Sequence, residues 1–396
     1  MKINNSWLSV DEAARRLGVK PATLYAYVSR GVLTRRRSAD GRSLFDPAEV
    51  ERVARRGRPR RTAGGAEVVI ESGITTLGAD RPFYRGRDAL DLAVRYELED
   101  VAGLLWTGEL GSPGPWREVP RAVAAGRAAQ SGLPPDVLPL ERLQVITPAL
   151  AASDPLRLTL DPSAVIDIGQ SLIAGMVECL PGRSAPGPIS ARLWAKLAPR
   201  RAHPQLVDAL RAALVLVADH ELAASTLAAR VAASVRADPY AVVSAALGVT
   251  GGALHGGASL NAETMLAEAD EPGQAAHVMG QRLRRGERIP GFGHRIYRSA
   301  DGRASALLDR IRAVAPGHPR LAVADAMLDE ARRRHLPEVN VDFALAVLAN
   351  VAGLATGTGE AVFAVARTVG WLAHAMEEYV RPTPLRLRAA YTGPLP

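Results

Sequence analysis

Apolar positions in the first fifty residues recur in short helical registers separated by glycine. Ser9–Val10–Asp11–Glu12 has the form of a capping box, and Ala13, Ala14 and Leu17 then share one face, so a helix is expected up to Gly18. Lys20–Pro21 opens a second helix with proline at its first position. Leu24, Tyr25 and Val28 give it an apolar face, and Gly31 stops it. Two short helices joined by a tight, glycine-containing turn make a helix-turn-helix candidate. Leu33–Arg37 and Arg42–Phe45 read as strands joined at Asp40–Gly41, a strong hairpin signal, and Asp46–Pro47 starts a third helix through Val53.

From about residue 66 the pattern is helical almost throughout, as across Ala89–Leu105 and Pro204–Val217. Breaks fall at Gly111–Pro120, Pro181–Pro188 and Pro316–Pro319, and Ile70–Phe83 reads as a small hairpin. No internal repeat and no strand-helix alternation is present, which predicts a mostly α fold. With 396 residues, 47% of them hydrophobic, the chain can form two or three domains. The longest uncharged stretch, Pro239–Ala262, holds five glycines and a histidine, so it reads as buried core and not as a membrane span. No apolar run follows the opening MKINNSW, which predicts no secretion signal. The single cysteine, Cys179, excludes an intrachain disulfide framework, and a reducing cytoplasm fits.

Charge sharpens the division. Residues 1–65 carry 15 Lys/Arg and 6 Asp/Glu, a net of +9, while the remainder is net −1. The excess points to an anionic partner for the first segment alone. LSVDEAARRLGVKPATLYAYVSRGVL followed by a basic hairpin resembles the winged helix-turn-helix domains of excisionase and MerR-type proteins. The resemblance implies that Pro21–Ser29 enters the major groove of DNA, with Thr23 and Tyr27 facing bases or phosphates. Arg35, Arg36, Arg37 and Arg42 would contact phosphates. The alternative is a helical hairpin whose basic face is solvated or docks on a protein. Arg56–Gly57–Arg58–Pro59–Arg60 looks like an AT-hook core, or else a basic linker ending at Thr62–Gly65.

The chemistry-bearing residues lie further on. Four of eight histidines have distinctive contexts: Asp219–His220–Glu221, the glycine-flanked His255, Gly291–Phe292–Gly293–His294–Arg295, and His374 after Arg367–Thr368–Val369–Gly370. Asp342 is an acid among apolar residues in Asn340–Val341–Asp342–Phe343. Glycines around a histidine let a ligand approach the backbone closely. Two such sites and a carboxylate make an acid/base set, and Arg303, Arg367 and Arg386 could clamp carboxylates in bidentate fashion. Burial would raise the pKa of Asp342 and nearby cations would lower it. These residues alone imply an enzyme that acts on a small dianion by proton abstraction. No Gly-rich phosphate loop, paired-cysteine site or HExxH is present, so no metal site or cofactor is expected.

DHELAAST, GALHGG, GFGHRIYRSADGR, NVDF and ARTVGWLAHAMEE resemble, in order and spacing, the motif series of citrate synthases, as does the earlier ITTLGADRPFYRGRDALDLA. The resemblance spans roughly residues 68–396. With the winged helix-turn-helix module (1–54) and the basic linker (55–66) ahead of it, it implies a mostly α fold of a large helical domain (67–256 and 346–396) and a small one (257–345) that closes over the substrates. It implies condensation of acetyl-CoA with oxaloacetate, then thioester hydrolysis to citrate and CoA. A 2-methylcitrate synthase using propionyl-CoA and a DNA-binding metabolite sensor are the alternatives.

By the same resemblance, Asp342 abstracts the methyl proton, His255 stabilises the enol, and His294 protonates the oxaloacetate carbonyl. His220, Arg303 and Arg367 bind its carboxylates. An arginine crosses the homodimer to the partner's site; Arg386 is the favoured match, with Arg381 and Arg388 as rivals. Ile289, Pro290 and Gly291 match the loop that holds the CoA adenine, and Arg298 matches a phosphate-binding arginine. The chain departs from the family pattern at Ala223 and Ser259 (for asparagine), Ala253 and Gly302 (for proline), and after NVDF.

Overall fold

The N-terminal region is built from three helices and three short strands: β1 (Leu8–Ser9), α1 (Val10–Leu17), α2 (Pro21–Ser29), β2 (Arg35–Arg37), β3 (Ser43–Phe45) and α3 (Pro47–Arg55). The computed structural model describes residues 7–17, 19, 21–29, 32–38, 40–55, 70–112, 114–199, 203–297 and 299–386. The stops expected at Gly18 and Gly31, the Arg56–Arg60 and Thr62–Gly65 segments, Arg298 and Arg388 lie outside them. The chain divides into two compact units, Met1–Ile70 and Glu71–Pro396.

In the first unit the capping box forms as expected. The Ser9 backbone N–H and hydroxyl donate to Glu12 Oε2 at 2.9 and 2.7 Å. Asp46 caps α3 by accepting from the Ala48 N–H at 2.8 Å. The strands run in the order β1-β3-β2, and Gly41 takes the left-handed conformation at the hairpin tip with φ +79°. Leu8, Ala13, Ala14, Leu24, Leu33, Phe45 and Val50 form the core.

The second unit opens with a three-stranded antiparallel sheet where the sequence suggested a two-stranded hairpin: β4 (Thr75–Leu77), β5 (Pro82–Tyr84) and β6 (Arg87–Asp88). The extra strand forms because a tight turn with Gly86 at φ +81° folds Arg87–Asp88 back onto β5. Helices follow: α4 (Ala89–Arg95), α5 (Leu98–Thr107), α6 (Pro120–Ala128), α7 (Pro139–Ala152), α8 (Pro162–Cys179), α9 (Ile189–Leu197), α10 (Pro204–Leu216), α11 (Ala224–Ser234), α12 (Pro239–Thr250), α13 (Gly257–Ala267), α14 (Ala275–Arg284), α15 (Gly302–Val314), α16 (Pro319–Arg333), α17 (Val341–Ala352) and α18 (Thr358–Tyr379). Proline begins α6, α7, α8, α10, α12 and α16, where its missing N–H has no intrahelical partner to lose.

The 22-residue α18 is buried on nearly every face and packs against α5, α7, α8, α10, α11, α12, α13 and α17. It is the axis on which the chemistry-bearing loops assemble. Among the described residues, no helix is long and apolar enough to cross a membrane.

Candidate active site

Helix ends deliver the side chains singled out by sequence. His220 lies in the α10–α11 loop, His255 between α12 and α13, and His294 in the loop before α15. Arg303 and Asp342 sit in the first turns of α15 and α17, and Arg367 projects from mid-α18. Loops expose backbone to a ligand, while helix N-termini favour negative charge.

His294, His220 and Tyr297 form one aromatic cluster. The Tyr297 ring stacks on His294 at 4.7 Å between centroids, and its hydroxyl meets His220 Nε2 at 2.9 Å. The two imidazoles lie edge to face at 5.3 Å. His294 Nδ1 accepts from the backbone N–H groups of Ile296 and Tyr297, both at 3.1 Å. The neutral ring therefore carries its proton on Nε2. Burial, then Arg303, holds the His294 pKa down to about 4. Burial, then Arg303 and Arg367, holds His220 well below the ordinary imidazole range.

Arg303 lies 5.4 Å over the Tyr297 ring and is side-on bidentate to Asp301, through Nε at 2.9 Å and Nη2 at 2.8 Å. Its side edge is thus already committed, leaving the end-on edge for another anion. Asp301 also accepts from the Val341 N–H at 3.1 Å, which joins the start of α15 to the start of α17. Gly302 N–H donates to the Asp80 carbonyl at 2.7 Å, and a Cβ on Gly302 would lie 3.1 Å from that oxygen.

His255 Nε2 is 2.8 Å from Ser225 Oγ, which also accepts from Trp371 Nε1 at 3.2 Å. Ser225 is fully buried, and its hydroxyl finds its acceptor in His255 Nε2, so His255 carries its proton on Nδ1. Burial, then Arg367, brings the His255 pKa down to about 4. The ring meets Phe363 edge to face at 5.6 Å, and Phe363 lies 4.4 Å under the Arg367 guanidinium. Arg367 is buried and donates from Nε to the Val217 carbonyl at 2.8 Å; among the described residues no carboxylate pairs with it. Burial lowers its pKa to about 10, the opposing pull of Asp219 and Tyr84 being smaller. A buried cation left in this state is a standing site for an anion.

Asp342 is half-buried. Asn340 caps its helix, with Oδ1 accepting from the N–H groups of Asp342 and Phe343 at 3.0 and 3.4 Å. Ser259 donates to Asp342 Oδ1 at 2.5 Å. Burial raises the Asp342 pKa, outweighing Ser259 and Arg303, so the proton affinity rises as a base requires. The Gly291–Gly293 loop is zipped onto this N-terminus: Asn340 N–H donates to the Gly291 carbonyl at 2.9 Å, and Gly293 N–H donates to the Glu338 carbonyl at 2.7 Å. Gly291 has φ +80°, and a Cβ there would lie 2.6 Å from Phe343 Cβ, so only glycine fits. Ile289 is buried and Pro290 half-buried. A cavity of about 620 Å³ opens beside this loop, lined by Phe292, Leu308, Leu328, Arg332, His335 and Glu338 among others.

His374 lies behind the site. Arg230 Nη1 donates to its Nδ1 at 2.7 Å, so Nε2 carries the proton and points at Asp219 Oδ2, 3.4 Å away. Arg230 is closed off by Glu377 and Glu378, at 2.7 and 2.5 Å. The network braces Asp219, the residue before His220.

Among the described residues, His220, His294, Tyr297 and Arg303 form one set of contacts and His255, Phe363 and Arg367 another, while Asp342 meets Ser259; no direct contact joins His255, His294 and Asp342, but the Arg367 charge is felt at His220, His255 and Asp342. The structure adds residues that the motifs did not single out for a role: Ser225, Tyr297 and Asp301, and Ser259, whose departure from the family pattern was the only signal. Arg386 is exposed, and no described contact ties it to this set. Its rival Arg381 is held locally, by the Glu71 carbonyl at 2.5 Å and by Glu378 at 3.7 Å.

In the N-terminal unit, Arg35, Arg36 and Arg37 are all exposed. Arg35 shares a sheet face with Phe45 and lies 5.9 Å over Tyr25, while Arg36 points to the other face, 5.8 Å over Trp7. Arg42 is exposed and paired with Asp40 at 3.1 Å. Thr23 is half-buried. Tyr27 and Tyr25 exchange the places expected of them: Tyr27 packs on the core with Leu24 and Val28, and Tyr25 is exposed. Leu24, Tyr27 and Val28 follow the i, i+3, i+4 rule, whereas Tyr25 is turned about 100° away from Leu24.

Comparison with known proteins agrees with both halves of this picture. The profile of the citrate synthase C-terminal domain matches residues 65–388, and that of a helix-turn-helix domain matches residues 7–58. A Mycobacterium tuberculosis protein provisionally named citrate synthase 2 is 40% identical over 200 residues, 49% of this chain and 53% of that protein. The chain thus matches about half the length of this relative. Citrate synthase 2 of Bacillus subtilis is 30% identical over 355 residues, covering 83% of this chain and 94% of its own. 2-Methylcitrate synthase 1 of Corynebacterium glutamicum is 29% identical over 338 residues, covering 78% and 88%. In fold, the chain resembles the citrate synthase of Thermoplasma acidophilum, solved with carboxymethyl coenzyme A and oxaloacetate, with TM-score 0.70 at 23% identity over 83% of this chain and 95% of that one. With a match over that much of its length, the chain is a member of the citrate synthase family and carries a helix-turn-helix domain at its N-terminus.

Proposed function

We propose that the chain condenses a short acyl-CoA with oxaloacetate and hydrolyses the resulting thioester. The observation that carries this reading is the presence of a raised carboxyl, Asp342, two neutral imidazoles that each keep one N–H free among the described residues, and a buried arginine with no carboxylate partner among them. The Asp342 carboxylate takes a proton from the carbon next to the thioester carbonyl. His255 Nδ1–H donates to the thioester oxygen as negative charge gathers there. The enol carbon attacks the ketone carbon of oxaloacetate, and the ketone oxygen takes the proton from His294 Nε2. Water then cleaves the thioester, releasing CoA and citrate. Arg367, the end-on edge of Arg303, and His220 receive the carboxylates. Ile289–Gly291 and Arg298 serve the CoA. No metal or other cofactor takes part in this scheme.

Acetyl-CoA is the thioester we assign. Propionyl-CoA differs by one methylene, worth about 1–3 kcal/mol in a pocket, and relatives of both kinds are similar to this chain. We assign a homodimer, and the exposed apolar surface of α11 and α12 supports it. Leu227 and Val231 are exposed on α11 and Val235 just after it, and Ala241, Ala245 and Gly248 on α12. In that dimer we assign Arg386 to the partner's oxaloacetate. The N-terminal domain is assigned to DNA through Thr23 and the exposed Arg35, Arg36, Arg37 and Arg42. A cytoplasmic protein is in keeping with the single, buried cysteine.

The test is a CoA-release assay with oxaloacetate and either acetyl-CoA or propionyl-CoA. Turnover by the wild type, lost by at least about 10³-fold in Asp342→Ala, is expected. No wild-type turnover with either thioester would overturn the reading in favour of a sensor, which needs the binding arginines but not Asp342.

A further inference from the structure

We propose that Ser259, braced by Glu263, is a positioning residue that aims Asp342 at its substrate; this rests on the condensation reading above. Ser259 occupies a place where the family motif carries asparagine. Its hydroxyl donates to Asp342 Oδ1 at 2.5 Å, within the range of a charge-assisted bond. Oδ2 accepts nothing among the described residues, so Ser259 fixes one carboxylate oxygen and leaves the other for the reacting carbon.

The brace lies one turn further along α13. Ser259 and Glu263 are four residues apart and share a helix face. Buried Glu263 accepts from the N–H groups of Gly357 and Gly359 at 2.9 and 2.6 Å, clasping the start of α18. The helices meet so closely that a Cβ on Gly359 would lie 2.9 Å from Glu263 Oε1 and 3.0 Å from Ser259 Cβ. The Ser259 hydroxyl is thereby set by two helices before it reaches α17, which carries the carboxylate. A general base gains from such placement because a misdirected lone pair lengthens the proton's path.

The charged and titratable groups around Asp342 are Arg303 and Asp301 at the start of α15, and Arg367 and Glu360 on α18; Ser259 is the donor from α13. Removing that donor leaves the carboxylate less stabilised, so its titration moves to higher pH.

The experiment compares Ser259→Ala and Ser259→Thr in the full chain. Ser259→Ala is expected to lower kcat by about tenfold or more. The KM for oxaloacetate should stay within about twofold, and the acid limb of the kcat profile should rise. Ser259→Thr, which keeps the hydroxyl, restores both. A purely structural serine would lower thermal stability and leave the acid limb where it was, and that result overturns the proposal. A carbon-13 NMR titration of the Asp342 carboxyl, assigned with Asp342→Asn, separates this from failure of the condensation reading. The carboxyl should titrate at higher pH in Ser259→Ala whether or not the wild type turns over citrate precursors, and an unmoved midpoint sinks the positioning role.

Discussion

Arginine is used in opposite ways by the two units. In the N-terminal unit Arg35, Arg36 and Arg37 stand in water on a three-residue strand, backed by a small core that includes Leu8, Leu24, Leu33, Phe45 and Val50. In the second unit Arg230, Arg303 and Arg367 are buried among helices. Arg230 is matched by two glutamates and Arg303 by Asp301, while Arg367 has no carboxylate partner among the described residues. An exposed arginine is hydrated, screened by salt and exchangeable at little cost to folding. A buried one needs a partner, and where the protein supplies none, a ligand can. Burial, rather than residue type, separates a sticky surface from a selective site.

The sharpest way to break this comparison is Arg367→Leu. Removing the unmatched cation should lower kcat/KM for oxaloacetate by about 10²-fold or more. The melting temperature should hold or rise, because an unpaired buried charge has been taken away. Activity and stability falling together would place Arg367 among the structural arginines. The counterpart is Arg35, Arg36 and Arg37 changed together to Gln. Binding to a DNA duplex should weaken, and the slope of log affinity against log salt should shrink by up to about 2.7 if all three meet phosphates. Folding should shift by no more than about 0.5 kcal/mol. An unchanged slope removes these arginines from the interface.

A smaller effect is expected of Tyr297→Phe, which deletes the hydroxyl on His220 and keeps the stack on His294. The KM for oxaloacetate should change by about fivefold, the worth of one hydrogen bond, with kcat nearly constant.

The gentlest probe is pH. His255 and His294 titrate at about 4 when folded, below the ordinary 6.5. Between those values the unfolded chain binds more protons than the folded one, so stability falls as pH drops from 6.5 towards 4. Chemical denaturation across that window should show the loss, and it should shrink in His255→Gln and His294→Gln. A flat profile in the wild type would mean that the imidazoles are not held neutral.

Much of this organisation is legible in the sequence. The range of α2 and the Ser9–Glu12 box could be read directly, because caps and prolines act within one helical turn. The histidines, Asp342 and the arginines stood out through glycine flanks and motif order. Residues that act through a neighbour's orientation were harder to see. Ser225 and Asp301 serve by completing another group's hydrogen bonds, and nothing in their local spacing reports a partner 30 or 40 residues away. The Tyr25–Tyr27 exchange was readable in principle, since the register of Leu24 and Val28 already chose Tyr27. The third strand, β6, was not, because two residues carry too little alternation to declare themselves.

Gly302 bonds through its N–H to Asp80, and the proline that the family motif carries there has no N–H to offer. The helix that presents Arg303 is therefore stitched to the turn between the first two strands of its unit. Any displacement of α15 must carry that turn with it as a single piece or break the stitch.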